Sequence, residues 1–190
     1  MKNVLVTGYK AHELGIYNEK HEGIYYIKKA LERRLQQLIE EEGLEWVIIS
    51  GQSGVEMWAG EVTVHLRENY PHVRLAILTP FQDQQSKWKE ERQAQYEELL
   101  RQADFVESLS HKPYESPGQL RSKNRFLVQK TDGIVALYDE DKPGSPRFYL
   151  ENAKLRQEND ASYEILYITP YDLEILYEEE QAMRGDFFDQ

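Results

Sequence analysis

The chain of 190 residues contains no cysteine. This absence excludes a disulfide framework, a thiolate zinc site and a cysteine nucleophile. No apolar run approaches the roughly 18 residues that a membrane-spanning helix needs. Residues 1–7 are typical of an opening strand, too short and too quickly polar for a signal peptide. The sequence therefore predicts a cytoplasmic protein without a membrane partner.

Positive charge and the common catalytic motifs are also scarce. The formal net charge is −11 and the pI is near 5.0, which disfavours nucleic acid as a partner because an acidic surface repels phosphates. The five histidines form no HxxxH or HExxH pair, so no metal site is predicted. The GxGxxG dinucleotide fingerprint, the Walker lysine and the GxSxG elbow are absent. No catalytic residue follows from these patterns.

Alternating apolar and amphipathic segments make up most of the chain. Hydrophobic residues account for 40% and charged residues for 30%, which is typical of one globular domain, here residues 1–190. Strands are predicted at residues 4–7, 46–49, 73–78, 105–106, 134–138 and 165–168, with helices between them that include 86–102, 120–130 and 147–158. A last helix begins near residue 170, and residues 183–190 are expected to fray. The predicted fold class is α/β: a Rossmann-like three-layer sandwich with a mostly parallel sheet flanked by helices.

The most informative segment is a glycine-rich turn between the second strand and the second helix. It comprises Ser50, Gly51, Gln52, Ser53, Gly54, Val55 and Glu56. At such a turn the unpaired N–H groups of the helix start and the helix dipole favour a phosphate or another anion. Gly51 and Gly54 would let the backbone approach that ligand, and Glu56 either caps the helix or accepts a hydrogen bond from a ribose hydroxyl. The alternative is that the glycines only close a tight turn.

Other loops are predicted to meet the glycine turn, because ligands of parallel sheets collect at the carboxyl ends of the strands. In these loops a glycine would let the backbone approach the ligand, aromatic rings and amides would contact a base, and a second glycine–serine step would bind phosphate. The residues concerned are Gly8, Tyr9, Pro80, Phe81, Gln84, Trp88, Tyr138, Asp139, Gly144 and Ser145. Plain turns, and a core position for Trp88, are the structural alternatives.

Three of these segments resemble a known family. The run Gly8-Tyr9-Lys10, the motif Ser50-Gly51-Gln52-Ser53-Gly54-Val55-Glu56-Met57-Trp58-Ala59 and the loop with Gly144-Ser145-Pro146 are similar to the YpsA family of Firmicutes. That family belongs to the SLOG group of Rossmann-like proteins, named for the DNA-processing Smf proteins and the LOG phosphoribohydrolases. The resemblance implies a nucleotide ligand such as ADP-ribose or another NAD-derived molecule. It also implies a ligand contact at Asn124 and a link, with a possible protein partner, to cell-division control.

The resemblance favours a non-catalytic binder over an enzyme. The LOG enzymes carry a PGGxGTxxE motif, whereas this chain reads Lys142-Pro143-Gly144-Ser145-Pro146-Arg147 without the double glycine or the glutamate. The leading hypothesis is thus a cytoplasmic protein that senses or binds an NAD-derived nucleotide. The alternative is a nucleoside-phosphate glycohydrolase of the LOG type, with Glu56 or Asp139 activating water. An interaction protein with a vestigial pocket is a third possibility, and the ligand and the oligomeric state stay open.

Overall fold

The computed structural model describes residues 1–188, which form six strands and six α-helices in strict alternation. The strands are β1 (Asn3–Thr7), β2 (Trp46–Ile49), β3 (Arg74–Thr79), β4 (Phe105–Ser108), β5 (Gly133–Leu137) and β6 (Glu164–Ile168). The helices are α1 (Glu22–Glu42), α2 (Val55–Leu66), α3 (Glu90–Gln102), α4 (Pro117–Lys130), α5 (Pro146–Asn159) and α6 (Pro170–Phe188). A short 3-10 helix, Ala11–Leu14, follows β1.

The strands form one sheet in the order β4-β3-β2-β1-β5-β6. Every strand pair is parallel, and in the centre Val4 pairs with Val47 on one side and Gly133 on the other. The chain therefore moves outward from β1 to β4 and then returns to the other side of β1. This reversal places a switch in strand order between β1 and β5, the point where open α/β sheets bind ligands.

Both faces of the central strands β1, β2, β3 and β5 are covered, which explains why these strands read as apolar runs, whereas the edge strand β4 is exposed. On one face α1, α2, α3 and α6 build the larger core, in which Leu31 and Leu35 of α1 are fully buried. On the other face α4 and α5 cover a smaller core around Leu5, Leu127 and Tyr163. The predicted α/β fold, a Rossmann-like sandwich with a parallel sheet, is thus confirmed.

The ends of several elements differ from the prediction by a few residues. Helix α4 begins at Pro117, earlier than expected, because a proline suits the first turn and the Gln119 side chain accepts a hydrogen bond from the Ser116 N–H. Helix α3 begins only at Glu90, because residues 82–88 form successive turns.

The last helix differs most from expectation. Helix α6 continues to Phe188 through most of the segment that was expected to fray, and residues 189–190 lie outside the described part of the chain. Among the described residues, no helix combines the length and the apolar character required to cross a bilayer.

Candidate functional site

The loops that follow β1, β2 and β5 meet at the switch in strand order, above the carboxyl ends of these strands. Together with α4 they enclose a cavity of about 140 Å³, which we call the switch-point cavity. Its lining comprises Thr7, Gly8, Lys10, Gln52, Glu56, Leu120, Lys123, Asn124, Ser145, Phe148 and Tyr149.

Glu56 is the buried acid at the base of this cavity. Its side chain accepts hydrogen bonds from the Ser50 N–H (3.0 Å), the Ser50 hydroxyl (2.6 Å), the Gln52 N–H (3.1 Å) and the Thr7 hydroxyl (3.0 Å). Glu56 therefore caps the turn, and it occupies the Gln52 N–H and the Ser50 hydroxyl, two donors that the sequence assigned to a phosphate. The anion held by the Ser50–Gln52 turn is a side chain of the protein itself.

The glycines of the turn have packing partners. Gly54 has a φ of 101°, and a β-carbon there would lie 2.5 Å from the Ala11 nitrogen and 2.6 Å from the Tyr9 oxygen. A β-carbon on Gly8 would overlap the Val55 side chain in the same way. The Val55 N–H donates a hydrogen bond to the Tyr9 oxygen and holds the first loop close to the start of α2. This close approach leaves no room for a β-carbon, which explains why Gly8 and Gly54 are glycines.

Gly51 likewise faces protein. Its φ is 75°, and a β-carbon there would lie 2.9 Å from the Tyr96 ring and 3.1 Å from the Gln84 amide nitrogen. The structure thus supports the tight-turn alternative for these glycines. Neither Ser53 nor the fully buried Val55 lines the switch-point cavity.

Lys123 is the basic residue of the site, and the sequence analysis missed it. The residue is 4% exposed, its ammonium donates to the Ser50 hydroxyl at 3.3 Å, and it lies 4.4 Å above the Tyr149 ring. Burial lowers the pKa of Lys123 from 10.5 to about 8, and the nearby Glu56 charge opposes that effect. The lining thus carries two lysines, Lys10 and Lys123, against one glutamate.

Two buried polar atoms of the lining, Asn124 Oδ1 and the Tyr149 hydroxyl, have no hydrogen-bond partner among residues 1–188. Burial, and secondarily the Glu56 charge, raise the pKa of the Tyr149 hydroxyl well above its ordinary value against a smaller lowering by the nearby Ser50 side chain, so it remains a donor at neutral pH. Because unpaired buried polar groups are costly, such groups in a cavity mark a place for a polar ligand. Asn124 Oδ1 is an acceptor and the Tyr149 hydroxyl is a donor, and both residues line the same cavity as Lys123.

Glu13, also missed from the sequence, ties the first loop to the fifth. Its carboxylate accepts from the Lys10 N–H at 2.7 Å and from the Ser145 N–H at 2.9 Å. Partial burial raises the pKa of Glu13, but these backbone donors outweigh it and leave the pKa below its ordinary value. The Ser145 amide, predicted to serve a phosphate, is thus engaged by a second internal carboxylate, and Gly144 leaves room for that carboxylate.

Two larger cavities flank the switch-point cavity. The α6-side cavity, about 550 Å³, is lined by Tyr9, Glu13, Leu14, Leu137, Tyr138, Asp139, Lys142, Pro143, Gly144, Pro170 and Leu173. The α4-start cavity, about 570 Å³, is lined by Pro80, Leu109, Ser110, Ser116, Gly118, Gln119, Ser122, Lys123 and Phe126. Ten of the 18 predicted site residues line these three cavities, and the other eight, among them Ser50, Gly51 and Gly54 of the glycine turn, line none of them.

Three residues of the third loop line none of these cavities. Gln84 accepts from the Gln52 side chain and donates to the Ser50 oxygen and the Tyr96 hydroxyl, so its amide braces the glycine turn. The Trp88 ring packs edge-on against Tyr96 at 5.1 Å, which supports its alternative as a core residue. Phe81 packs against Tyr114 at 5.2 Å.

One feature of the sequence does point to Lys123. Along α4 the residues Leu120, Lys123, Leu127 and Val128 follow the spacing of one helix face, so the lysine lies within an apolar stripe. A lysine that a helix turns toward the sheet needs a nearby negative charge, and Glu56 supplies it through the Ser50 hydroxyl, which accepts from Lys123 and donates to Glu56. Tyr149 on α5 carries no comparable signal, because a tyrosine is common in a core.

Comparison with known proteins agrees with this architecture. The model of the YpsA family, described as the YspA SLOG family, matches residues 4–173. The UPF0398 protein BH1768 of Halalkalibacterium halodurans is 55% identical over 181 residues, 95% of each chain. The UPF0398 protein YpsA of Bacillus subtilis is 48% identical over 180 residues, covering 95% of this chain and 99% of that protein.

A solved structure shares the fold at low sequence identity. It is the DNA processing protein A from Helicobacter pylori, a protein with a described single-stranded DNA binding mode. The TM-score is 0.51 at 12% identity, over 86% of this chain and 64% of that one. A likeness at this identity concerns the fold alone.

Proposed function

The chain belongs to the YpsA family of SLOG proteins, and from that premise we propose that it binds a phosphorylated nucleotide, such as ADP-ribose, at the switch-point cavity. The observation that carries the proposal is the unpaired Tyr149 hydroxyl and Asn124 Oδ1 beside the buried Lys123 ammonium. Lys123 and the Tyr149 hydroxyl would donate to a phosphoryl oxygen, and Asn124 Oδ1 would accept from a ribose hydroxyl.

The local charge supports an anionic ligand. Lys10 and Lys123 against Glu56 give the lining a net charge of about +1 in a protein whose formal net charge is −11. The local charge of this cavity therefore favours a phosphoryl group even though the molecule as a whole is acidic. The same overall charge opposes long nucleic acids, which would pass over acidic surface outside the cavity.

Binding without turnover is the form of the proposal that the geometry favours. Glu56 accepts four hydrogen bonds from Thr7, Ser50 and Gln52, so it is a fixed structural anion and a poor candidate for activating water. Asp139 lines the α6-side cavity and not the switch-point cavity. We accordingly infer that the single domain works in the cytoplasm as a ligand sensor; only the family resemblance supports a role in cell division.

The test compares two buried tyrosines. Tyr149→Phe removes a hydroxyl whose polar interaction within residues 1–188 is limited to the Ser50 side chain, so the variant should lose little stability. It should bind AMP and ADP-ribose more weakly by about 1.5–3 kcal/mol, the scale of a hydrogen bond to a charged group. Isothermal titration calorimetry measures the affinity, and thermal unfolding measures the stability.

Tyr163→Phe is the matched control. Its hydroxyl lies within hydrogen-bond distance of Thr131 away from the cavity, so this variant should lose stability and keep its affinity. Equal affinities for the wild type and Tyr149→Phe would contradict the proposal. Release of free adenine from AMP, detected by chromatography, would instead favour the glycohydrolase alternative.

A further inference from the structure

The switch-point cavity is too small for a whole nucleotide. Its volume is about 140 Å³, whereas sites for small organic ligands measure about 300–1,000 Å³. A phosphoryl group fits within it, but the nucleoside must extend into a neighbouring cavity. The α4-start and α6-side cavities both have sufficient volume.

The α6-side cavity is the poorer continuation. Its charged lining residues are Glu13, Asp139 and Lys142, so its net charge opposes an anionic ligand. The hydrogen bond from the Ser145 N–H to Glu13 also crosses the boundary, because Gly144 lines one cavity and Ser145 the other. A ligand would have to displace Glu13 to pass.

The α4-start cavity is the better continuation. Lys123 lines both this cavity and the switch-point cavity, so the two cavities are neighbours at this side chain. Lys123 is also the one charged residue in the described lining of the α4-start cavity. Apart from Lys123, an uncharged heterocycle with a ribose would therefore meet hydroxyls, an amide and apolar groups there.

An aromatic surface is available in this cavity. Phe126 is 38% exposed and lines it together with Pro80 and Leu109. Base–aromatic stacking stabilises nucleotide complexes on exposed rings of this kind. By contrast, Phe81 and Trp88, expected from the sequence to hold the base, pack against other aromatic rings of the protein.

We propose that the α4-start cavity is the base subsite, with the heterocycle stacked on Phe126 while the phosphoryl group lies next to Lys123. This inference rests on the proposed function. It assigns Phe126 as the residue that separates nucleotides from simple sugar phosphates.

The experiment measures calorimetric affinities for two probes, AMP and ribose 5-phosphate, which differ in the base. The wild type should bind AMP more tightly by about tenfold or more, as one stacking contact implies. Phe126→Ala should lose this advantage and bind ribose 5-phosphate as the wild type does. Phe126→Tyr, which keeps a ring, should retain it.

Two control variants make the outcome specific. Phe105→Ala truncates an exposed ring on β4 that lines none of the three cavities, and it should leave both affinities unchanged. Tyr138→Ala truncates a ring of the α6-side cavity, and it should also preserve the preference for AMP. If Tyr138→Ala lost the preference for AMP while Phe126→Ala kept it, the base would lie in the α6-side cavity. That result would overturn the inference.

The remaining outcomes separate this inference from the proposed function. Equal affinity of the wild type for both probes would overturn the base subsite and leave the phosphoryl site standing. A similar loss for both probes in Phe126→Ala would also overturn it, since the ring would then act on the phosphoryl site. Failure of the wild type to bind either probe would overturn the proposed function and this inference together.

Discussion

At the scale of single residues, the pair of Lys123 and Glu56 determines the chemistry of the switch-point cavity. Burying a charge is costly unless hydrogen bonds and an opposite charge compensate it. Glu56 is compensated by four donors, whereas the hydrogen bonds of Lys123 within residues 1–188 comprise one contact with the Ser50 hydroxyl. An ammonium group has three donors, so Lys123 retains capacity for a ligand.

This pair makes ligand affinity depend on pH in a defined direction. The pKa of Lys123 in the folded protein is about 8, so the ammonium loses its proton as the pH rises above that value. The second pKa of a phosphate ester is about 6, so AMP stays doubly charged over the same range. The affinity for AMP should therefore be greatest near pH 7, midway between the two pKa values, and fall by up to about tenfold per pH unit above pH 8.

Calorimetric titrations between pH 7.5 and 9.5 measure this dependence. Lys123→Met provides the comparison, since it lacks the titrating group and should bind weakly at every pH. An affinity for the wild type that stays constant up to pH 9.5 would show that the Lys123 ammonium does not contact the ligand.

At the scale of elements, the first loop and the start of α2 interlock through glycine. Gly54 brings the α2 N-terminus against the backbone of Tyr9 and Ala11 at a φ of 101°. A β-carbon at this position would overlap backbone atoms, which cannot move aside as the end of a flexible side chain can. This junction therefore requires a glycine.

Gly54→Ala should therefore destabilise the protein strongly. The backbone of Gly54, with a φ of 101° and a ψ of −132°, is in a region that costs other residues about 1–3 kcal/mol, and the overlap with the first loop adds to it, so a loss above about 3 kcal/mol is expected. In a domain of 190 residues this lowers the melting temperature by about 6–12 °C. Thermal unfolding of the purified variant checks the value.

Gly43→Ala is the matched control, because Gly43 also has a positive φ, 69°, but no atom within 4 Å of a β-carbon. It should cost only the backbone part, about 1–2 kcal/mol. Equal decreases in melting temperature for the two variants would contradict the packing role of Gly54.

Elements were predictable where the cause is local. Each strand is an apolar run, and the proline and glycine signals near Thr169-Pro170 and Gly43 mark a helix start and a helix end in the structure. The partners of the turn residues were not predictable. Gly54 faces the Tyr9 backbone, and Glu56 of α2 accepts a hydrogen bond from Thr7 of β1. Both contacts follow only from the way the parallel strands align their ends.

The site was predictable only in outline, for the same reason. Loops that follow parallel strands must share one edge, so Gly8, Gln52, Glu56 and Ser145 were expected together and do line one cavity. Tyr149 and Phe126 come from the interiors of helices, and their position depends on how α4 and α5 pack on the sheet.

At the scale of the whole molecule, the fold concentrates rare features at one point. A protein with a net charge of −11 holds its buried lysine, its unpaired buried hydroxyl and its unpaired amide oxygen in one cavity at the switch in strand order. Since this position in an open parallel sheet is where ligands bind, the location and the chemistry support the same conclusion independently.

The most direct test of this conclusion is a crystal structure of the protein soaked with AMP. The account predicts electron density for the phosphoryl group within hydrogen-bond distance of Lys123 Nζ and the Tyr149 hydroxyl, with the ribose next to Asn124. Density for AMP bound elsewhere, with the switch-point cavity unchanged, would contradict it.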